Sequence, residues 1–316
     1  VEEKAYNKMR GLFSHVDSQS FNHYCIQIPY YATMLKNIYK GYEIEEMYLL
    51  WFNEQDEGFK RIDIDGSKWF PEIEKMRKSC HIVGGLLDAL AGLIRPGIST
   101  LELDKFAEDY ILSRGGKPSF KGYQVDGLPP FSGSICTSIN EQIVHGIPNA
   151  NSILKEGDII GVDVGVNLNG YNADAARTYR VGKISSEAEK LLQVTKESLY
   201  RGIAAAIPGN RIGDISYAIG SFVKSKGYFV ADNLTGHGIG RNLHEEPMIP
   251  NMGKPGRGPR LSSGMTLAIE PMVNIGTNRV FENGWEFKVW DNSLSAHFEH
   301  TILITDGEPE ILTVAE

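Results

Sequence analysis

The alternation of apolar and polar positions divides this 316-residue chain at about residue 67. Before that point no helical or strand period is clear. Tyr, Phe and His are frequent there, and Asp56-Glu-Gly58 and Asp63-Ile-Asp-Gly66 read as turns or a linker. From residue 67 the pattern becomes regular. Glu72 to Leu93 carries a helical apolar stripe closed by Arg95-Pro-Gly97. Ser99-Thr-Leu-Glu102 reads as a capping box opening a second helix, which Gly115-Gly116 ends. Ser186-Glu-Ala-Glu189 opens a third helix, stopped by Pro208-Gly209. A fourth runs from about Asp214 to Lys226, with Gly227 as its stop.

The four helices form an internal repeat. With Pro96-Gly97 laid on Pro208-Gly209, Glu102 meets Asp214, Leu103 meets Ile215, Tyr110 meets Phe222, Ile111 meets Val223 and Gly115 meets Gly227. Each half then continues into strand-like segments. The chain therefore predicts two related α/β halves, each with two helices followed by strands. A site fed by both halves would lie at their seam.

Five side chains in this framework suit a metal: Asp163, Asp174, His237, Glu270 and Glu299. Val162–Val166 and Tyr171–Val181 predict two strands of a hairpin around Asn167-Leu-Asn-Gly170. A hairpin centred on that four-residue turn sets Asp163 opposite Asp174. A two-residue loop at Asn169-Gly170 sets Asp174 opposite Gly165 and makes Asp163 a diagonal neighbour. Either register puts both carboxylates on one face, where like charges require something positive between them. The competing reading is a pair of surface aspartates on a solvated hairpin, and the apolar flanks argue against it.

Gly236-His-Gly-Ile-Gly240 precedes His244-Glu-Glu-Pro247. Glycine on each side of His237 permits close backbone approach and frees the imidazole for a ligand. A lone histidine is more often a hydrogen-bonded core group; its company favours ligation. The spacing to His244 is not that of a zincin helix. Glu270 precedes Pro271 in a β-rich run. Glu299 lies between His297 and His300, and strand alternation would place Ser295, His297, Glu299 and Thr301 on one face. An acid in an apolar run is costly to bury unless paired, protonated or metal-bound, and these runs hold no Lys or Arg. Oxygen-rich ligation with one imidazole suits Mn(II), Fe(II), Co(II) or Zn(II).

Composition narrows the class. A formal net charge of −8 argues against a general nucleic-acid binder. Cys25, Cys80 and Cys136 show no CxxC spacing, which predicts free thiols in a reducing compartment. The polar opening segment has no apolar signal region, and the longest greasy run, Tyr48-Leu-Leu-Trp-Phe52, is too short to span a bilayer. A cytoplasmic protein without membrane contact is expected.

Several blocks together resemble type I methionine aminopeptidases, which have the pita-bread fold. They are Ser134-Ile-Cys-Thr-Ser-Ile-Asn140, Val144-His-Gly-Ile-Pro148, Val162-Asp163 with Asn172-Ala-Asp174, Gly236–Gly240, His244–Pro247, Ile269-Glu-Pro-Met272 and Phe298-Glu-His-Thr301. The similarity covers about residues 70 to 314. It implies a catalytic domain over 67–316, with two pseudo-symmetric α/β halves and antiparallel sheet, and removal of methionine from nascent polypeptide N-termini when the second residue is small. It also implies a monomer holding two divalent ions. By position, Asp163 chelates one ion, Asp174 and Glu299 bridge both, and His237 and Glu270 complete the other. Glu270 shuttles a proton; His145 and His244 contact substrate and stabilise charge. Read without the resemblance, His145 is a turn residue.

The same resemblance maps a methionine pocket onto Phe120, Tyr123, Phe131, Cys136, Leu243 and Trp285, and a monovalent cation site onto Asn140 and Ser295. The sequence departs from the family pattern in a longer segment at Val125-Asp-Gly-Leu-Pro129, in Gln124 where histidine is frequent, in Leu243 for phenylalanine and in His297 for glutamine. Residues 1–66 match no family motif. They predict either a strap on the main domain or a docking element for a partner such as the ribosome. Prolidase-like peptidases share the fold and metal set, but carry a larger N-terminal domain. A non-catalytic binding protein of the same fold would have lost ligands that are all present here.

Overall fold

The computed structural model describes residues 47–51, 60–64 and 71–315. The chain divides into two units, Val1–Trp69 and Phe70–Glu316. In the first, β1 (Met47–Trp51) and β2 (Lys60–Ile64) pair antiparallel, with Met47 opposite Ile64 and Trp51 opposite Lys60. Asp63 and Ile64 therefore belong to a strand, not to the turn that their composition suggested. The strap and docking readings, the Asp56–Gly58 turn and Cys25 fall outside the described residues. No helix among the described residues is long and apolar enough to cross a membrane.

The second unit opens with α1 (Pro71–Ala91), α2 (Thr100–Ser113) and the short β3 (Lys117–Pro118). Next come β4 (Cys136–Ile139), β5 (Gln142–Val144), β6 (Ile159–Leu168) and β7 (Tyr171–Arg180). The second half begins with α3 (Ser186–Ala204) and α4 (Ile212–Ser225). It continues through β8 (Phe229–Val230), β9 (Thr235–Gly238), β10 (Glu245–Pro250), β11 (Thr266–Ile269) and β12 (Met272–Asn274). The chain ends with β13 (Val280–Asn283), β14 (Glu286–Val289), β15 (Ser295–His297), β16 (His300–Leu303) and β17 (Glu310–Ile311).

The repeat expected from the sequence is visible in hydrogen bonds. Gly97 N–H donates to the Leu154 carbonyl, and its counterpart Gly209 N–H donates to the Leu261 carbonyl. Both glycines have positive φ (90° and 93°), a conformation that other residues adopt at a cost. Ser99 N–H donates to the Glu102 carboxylate, and Arg211 N–H to that of Asp214. Ser99 completes a capping box by accepting from Glu102 N–H. Asp214 thus sits inside the fourth helix, in the position of Glu102, and that helix starts two residues before the predicted boundary. Arg114 lies over the Tyr110 ring, as Lys226 lies over Phe222.

Each half has its own apolar core. Leu86, Leu90, Leu103 and Ile111 pack with Val162, Val164 and Val166 in the first. Leu191, Leu199, Ile215 and Ile219 pack with Leu267, Ile269 and Ile302 in the second. Full burial of each such side chain contributes about 1.5–3 kcal/mol, so each half anchors its own strands. In the first half, β6 lies between β4 and β7, with β3 alongside its far end. In the second, β9, β11 and β16 run at the centre of a five-stranded sheet, while β15, β12 and β8 form a three-stranded one. A third sheet joins β13, β14 and β5.

The seam between the halves is tied by threonine hydroxyls and one main-chain hydrogen bond. Asp174 N–H donates to Thr301 Oγ1, and that hydroxyl donates to the Asp174 carbonyl (3.1 and 2.7 Å). Glu299 N–H donates to the Ala176 carbonyl at 2.9 Å. His297 N–H donates to Thr178 Oγ1, which donates to the His297 carbonyl (2.9 and 2.8 Å). Two threonines, one from each half, thus satisfy buried backbone groups of the other half.

Candidate metal centre

The hairpin takes the two-residue loop. Leu168 pairs with Tyr171, so Asp174 lies opposite Gly165 and Asp163 opposite Ala176. Both aspartates occupy one face, as either register required. Their neighbours Val162, Val164, Ala173 and Ala175 are fully buried on the opposite face, and this fixes which way the carboxylates point.

His237 lies on β9, with Ala268 of β11 opposite it. A Cβ on Gly236 would come within 2.4 Å of the Ala268 carbonyl, and one on Gly238 within 2.3 Å of the Glu246 carbonyl. Glycine is thus required on both sides for β9 to fit between its neighbours. His237 Nδ1 lies 2.8 Å from the Gly238 carbonyl. A carbonyl can only accept, so Nδ1 carries the proton and the Nε2 lone pair faces the acids, the tautomer a metal ligand needs.

Both glutamates stand at breaks in the sheet. Glu270 falls between β11 and β12, and Glu299 between β15 and β16. The uninterrupted alternation expected from Ser295 to Thr301 is therefore not what forms. Asn251 Nδ2 donates to the Glu270 carbonyl, and Phe298 N–H donates to the Pro271 carbonyl, tying the two breaks together. Of the histidines flanking Glu299, His300 turns away to Thr313 Oγ1, while His297 faces the cluster.

The resulting cluster has donor atoms in search of a cation. Asp163 Oδ1, Asp174 Oδ1, Glu299 Oε1 and His297 Nε2 are buried without a hydrogen-bond partner. Asp174, His237 and Glu299 bring one donor atom each within 4.8 Å of one another; Glu270, His297 and Glu299 do the same. His237 Nε2 stands 3.6 Å from Glu270 Oε1, too far for a hydrogen bond. Two donors that share one tetrahedral ion at about 2.0–2.2 Å are themselves about 3.3–3.6 Å apart. These residues therefore fit divalent metal. Burial, with Asp163 and Glu270 nearby, pushes the Asp174 carboxyl well above its ordinary range. Burial pushes Asp163 up to about 6 and Glu270 up to about 8. Glu299 is raised by burial and by the neighbouring acids. Burial and the adjacent His244 push His237 down to about 4, which keeps it neutral. Without a cation, the cluster can only reduce its repulsion by holding protons.

A cleft of about 430 Å³ opens beside the cluster. His145, His237, His244 and Glu270 line it, together with Leu234, Thr235, Met248 and Met272. His145 has φ +58°, so it does turn the chain, and it also faces the cleft. Tyr123 Oη bonds His244 Nδ1 at 2.7 Å and fixes that ring. Phe120, Phe131, Cys136, Leu243 and Trp285 do not line this cleft; they are buried in the core of the first half. Edge-on ring contacts from Phe131 to Trp285 and from Trp285 to His145 connect that group to the cleft. The long segment at 125–129 packs there too, since Trp285 Nε1 donates to the Pro129 carbonyl. Asn140 and Ser295 adjoin, the Ser295 N–H donating to the Asn140 carbonyl at 2.9 Å. Leu234, Thr235 and Met248 were not singled out from the sequence; Met248 directly follows the His244–Pro247 block, which was the available signal.

The model of metallopeptidase family M24 matches residues 74–306. The chain belongs to this family. M24 relatives include the methionine aminopeptidase of Clostridium acetobutylicum, 52% identical over 247 residues, covering 78% of this chain and 97% of that protein. Methionine aminopeptidase 1 of Bacillus subtilis is 49% identical, covering 77% of this chain and 96% of its own length. The crystal structure of methionine aminopeptidase from Rickettsia prowazekii superposes with TM-score 0.74 at 39% identity, over 77% of this chain and 97% of that one. The prolidase of Pyrococcus furiosus superposes at TM-score 0.61 and 24% identity over 78% of this chain and 65% of its own, a likeness of fold. The pita-bread fold expected from the resemblance is the fold observed.

Proposed function

We propose that the chain is a dinuclear metal-dependent aminopeptidase that removes N-terminal methionine from nascent polypeptides, most readily when a small residue follows. The observation that carries this reading is the convergence of four carboxylates, two buried and two partly buried, and one correctly tautomerised imidazole, with orphaned donor atoms, beside a cleft. Relatives about half identical, matched over nearly the whole of their own length, are named for the same activity.

Asp163, Asp174, His237, Glu270 and Glu299 would hold the cations. Divalent metal held by these residues would supply Lewis-acid chemistry for the scissile carbonyl and for a water nucleophile. The donor set accepts Mn(II), Fe(II), Co(II) or Zn(II). Glu270 reaches both the cluster and the cleft, so it passes the proton to the leaving amine. His145 and His244 touch the substrate and stabilise charge developing on its carbonyl oxygen. Phe120, Tyr123, Phe131, Cys136, Leu243 and Trp285 offer the soft apolar surroundings that a thioether prefers. The same reading places a monovalent cation beside Asn140 and Ser295, and takes the protein as a cytoplasmic monomer, with residues 1–66 as a candidate contact for a partner such as the ribosome.

Hydrolysis of Met-Gly-Met against an Ala-Pro peptide, with and without EDTA, tests the reading. Cleavage of the methionyl peptide alone, lost in chelator and restored by Co(II) or Mn(II), is the expected outcome. Turnover confined to the prolyl peptide would overturn the substrate, and full turnover in EDTA would overturn the metal.

A further inference from the structure

We infer that His297 is a sixth metal-binding side chain, which joins Glu270 and Glu299 in the cluster. The inference rests on the dinuclear reading above and extends its ligand set.

His297 Nε2 is buried and has no hydrogen-bond partner. It stands 3.4 Å from Glu270 Oε2 and 3.7 Å from Glu299 Oε2. A charge-assisted hydrogen bond from an imidazolium to a carboxylate would be about 2.7–2.9 Å long. Both separations exceed that, and lie near the roughly 3.3–3.6 Å of donors sharing one tetrahedral ion. The same spacing separates His237 Nε2 from Glu270 Oε1, at 3.6 Å. The two imidazoles thus flank Glu270 in matching ways, each at the apex of a triad with two carboxylates.

The backbone of His297 is also held for the task. Thr178 Oγ1 bonds both its N–H and its C=O, and Met272 of β12 lies opposite it in the sheet. A ligand on so fixed a backbone loses little freedom when the cation arrives.

His297 gives the centre a second nitrogen donor. Five ligands would leave one ion with oxygen donors only. With His297 the centre has two imidazoles, one on either side of Glu270, and the added nitrogen favours Co(II) and Zn(II) over Mn(II).

Proton NMR of the Co(II)-loaded protein decides the matter. An imidazole bound through Nε2 keeps its Nδ1 proton, which the paramagnetic ion shifts far downfield and which exchanges with D₂O. Two such resonances are expected in the wild type. His297→Gln should remove one, and His237→Gln the other. His297→Gln should also weaken Co(II) binding at one site by about tenfold or more, with a smaller loss for Mn(II). A single resonance in the loaded wild type, or two that both survive His297→Gln, would overturn the inference while leaving the dinuclear reading standing. Failure of the wild type to bind Co(II) at all would remove that reading, and the inference with it. The wild-type count is decisive even if a variant does not fold.

Discussion

The two halves of the catalytic unit supply the same chemistry by different means. The first half presents Asp163 and Asp174 on one unbroken hairpin, ten residues in each strand, fully paired from Ile159–Arg180 to Leu168–Tyr171. The second half presents Glu270 and Glu299 where its strands are interrupted. A regular strand aims a short carboxylate by alternation alone. A break loses that guide, and the longer glutamate then depends on fixed neighbours for its aim. The Asn251 side-chain amide and the Pro271 and Ala176 carbonyls supply these anchors to the backbone around the two glutamates. The comparison teaches that the repeat conserves the placement of charge without conserving the local geometry that achieves it.

The sharpest way to break this comparison is to remove one donor from each half. Asp174→Asn and Glu270→Gln should each reduce kcat by more than the roughly 100-fold typical of outer-sphere changes. The circular dichroism of both variants should stay that of the wild type, because removing a charge from a repulsive cluster relieves strain in the metal-free fold. Near-normal turnover in either variant would contradict the assignment of that half.

A smaller effect tests the seam. Thr301→Val would leave the buried N–H and C=O of Asp174 without their partner, at a cost of about 1–3 kcal/mol. Activity should fall about 10- to 100-fold, since the aspartate loses its fixed backbone. Thr178→Val should do the same at His297 with a milder loss. Urea denaturation and steady-state kinetics on the two variants measure both quantities, and wild-type stability in Thr301→Val would show that the clasp carries nothing.

The smallest expected effect is on pH dependence. In metal-free protein Glu270, pushed up to about 8 by burial, keeps a proton that the unfolded chain has already released. The folded state then binds more protons, so stability falls as pH rises toward 8. His237 and His145, both pushed down to about 4 by burial, have the opposite sign, but only below their ordinary value of 6.5. Between pH 6.5 and about 8 the carboxyls therefore set the slope. The Tm of chelator-stripped protein should drop by a few degrees across that window. Added Co(II) should raise Tm and flatten or reverse the slope, because metal then replaces the protons. Differential scanning calorimetry at several pH values reads this directly, and a stripped protein that gains stability toward pH 8 would contradict the buried acidic cluster.

Much of this organisation was legible in the chain itself. Proline–glycine stops and the Ser99–Glu102 cap mark helices because their causes are local, within one turn of backbone. Both halves were visible as a repeat for the same reason. Alternation put Asp163 and Asp174 on one face whichever loop formed, since a two-residue period tolerates a register shift of two. Glycines around His237 announced a close approach, although not to which strands. The sequence also misled where its cues were weak: Asp63 reads as a turn residue, yet it pairs with Tyr48 in a hairpin.

Other features belong to the tertiary structure alone. Only the packed seam breaks the strand at Phe298-Glu299, turns His300 outward to Thr313 and leaves His297 Nε2 among the acids. His300 meets a residue 13 positions on, and His297 is held by one 119 positions away, Thr178. Periodicity reports which face a side chain takes within its own element. It carries no information on where a distant backbone will dock, and that docking decides which of two neighbouring histidines meets the acidic cluster.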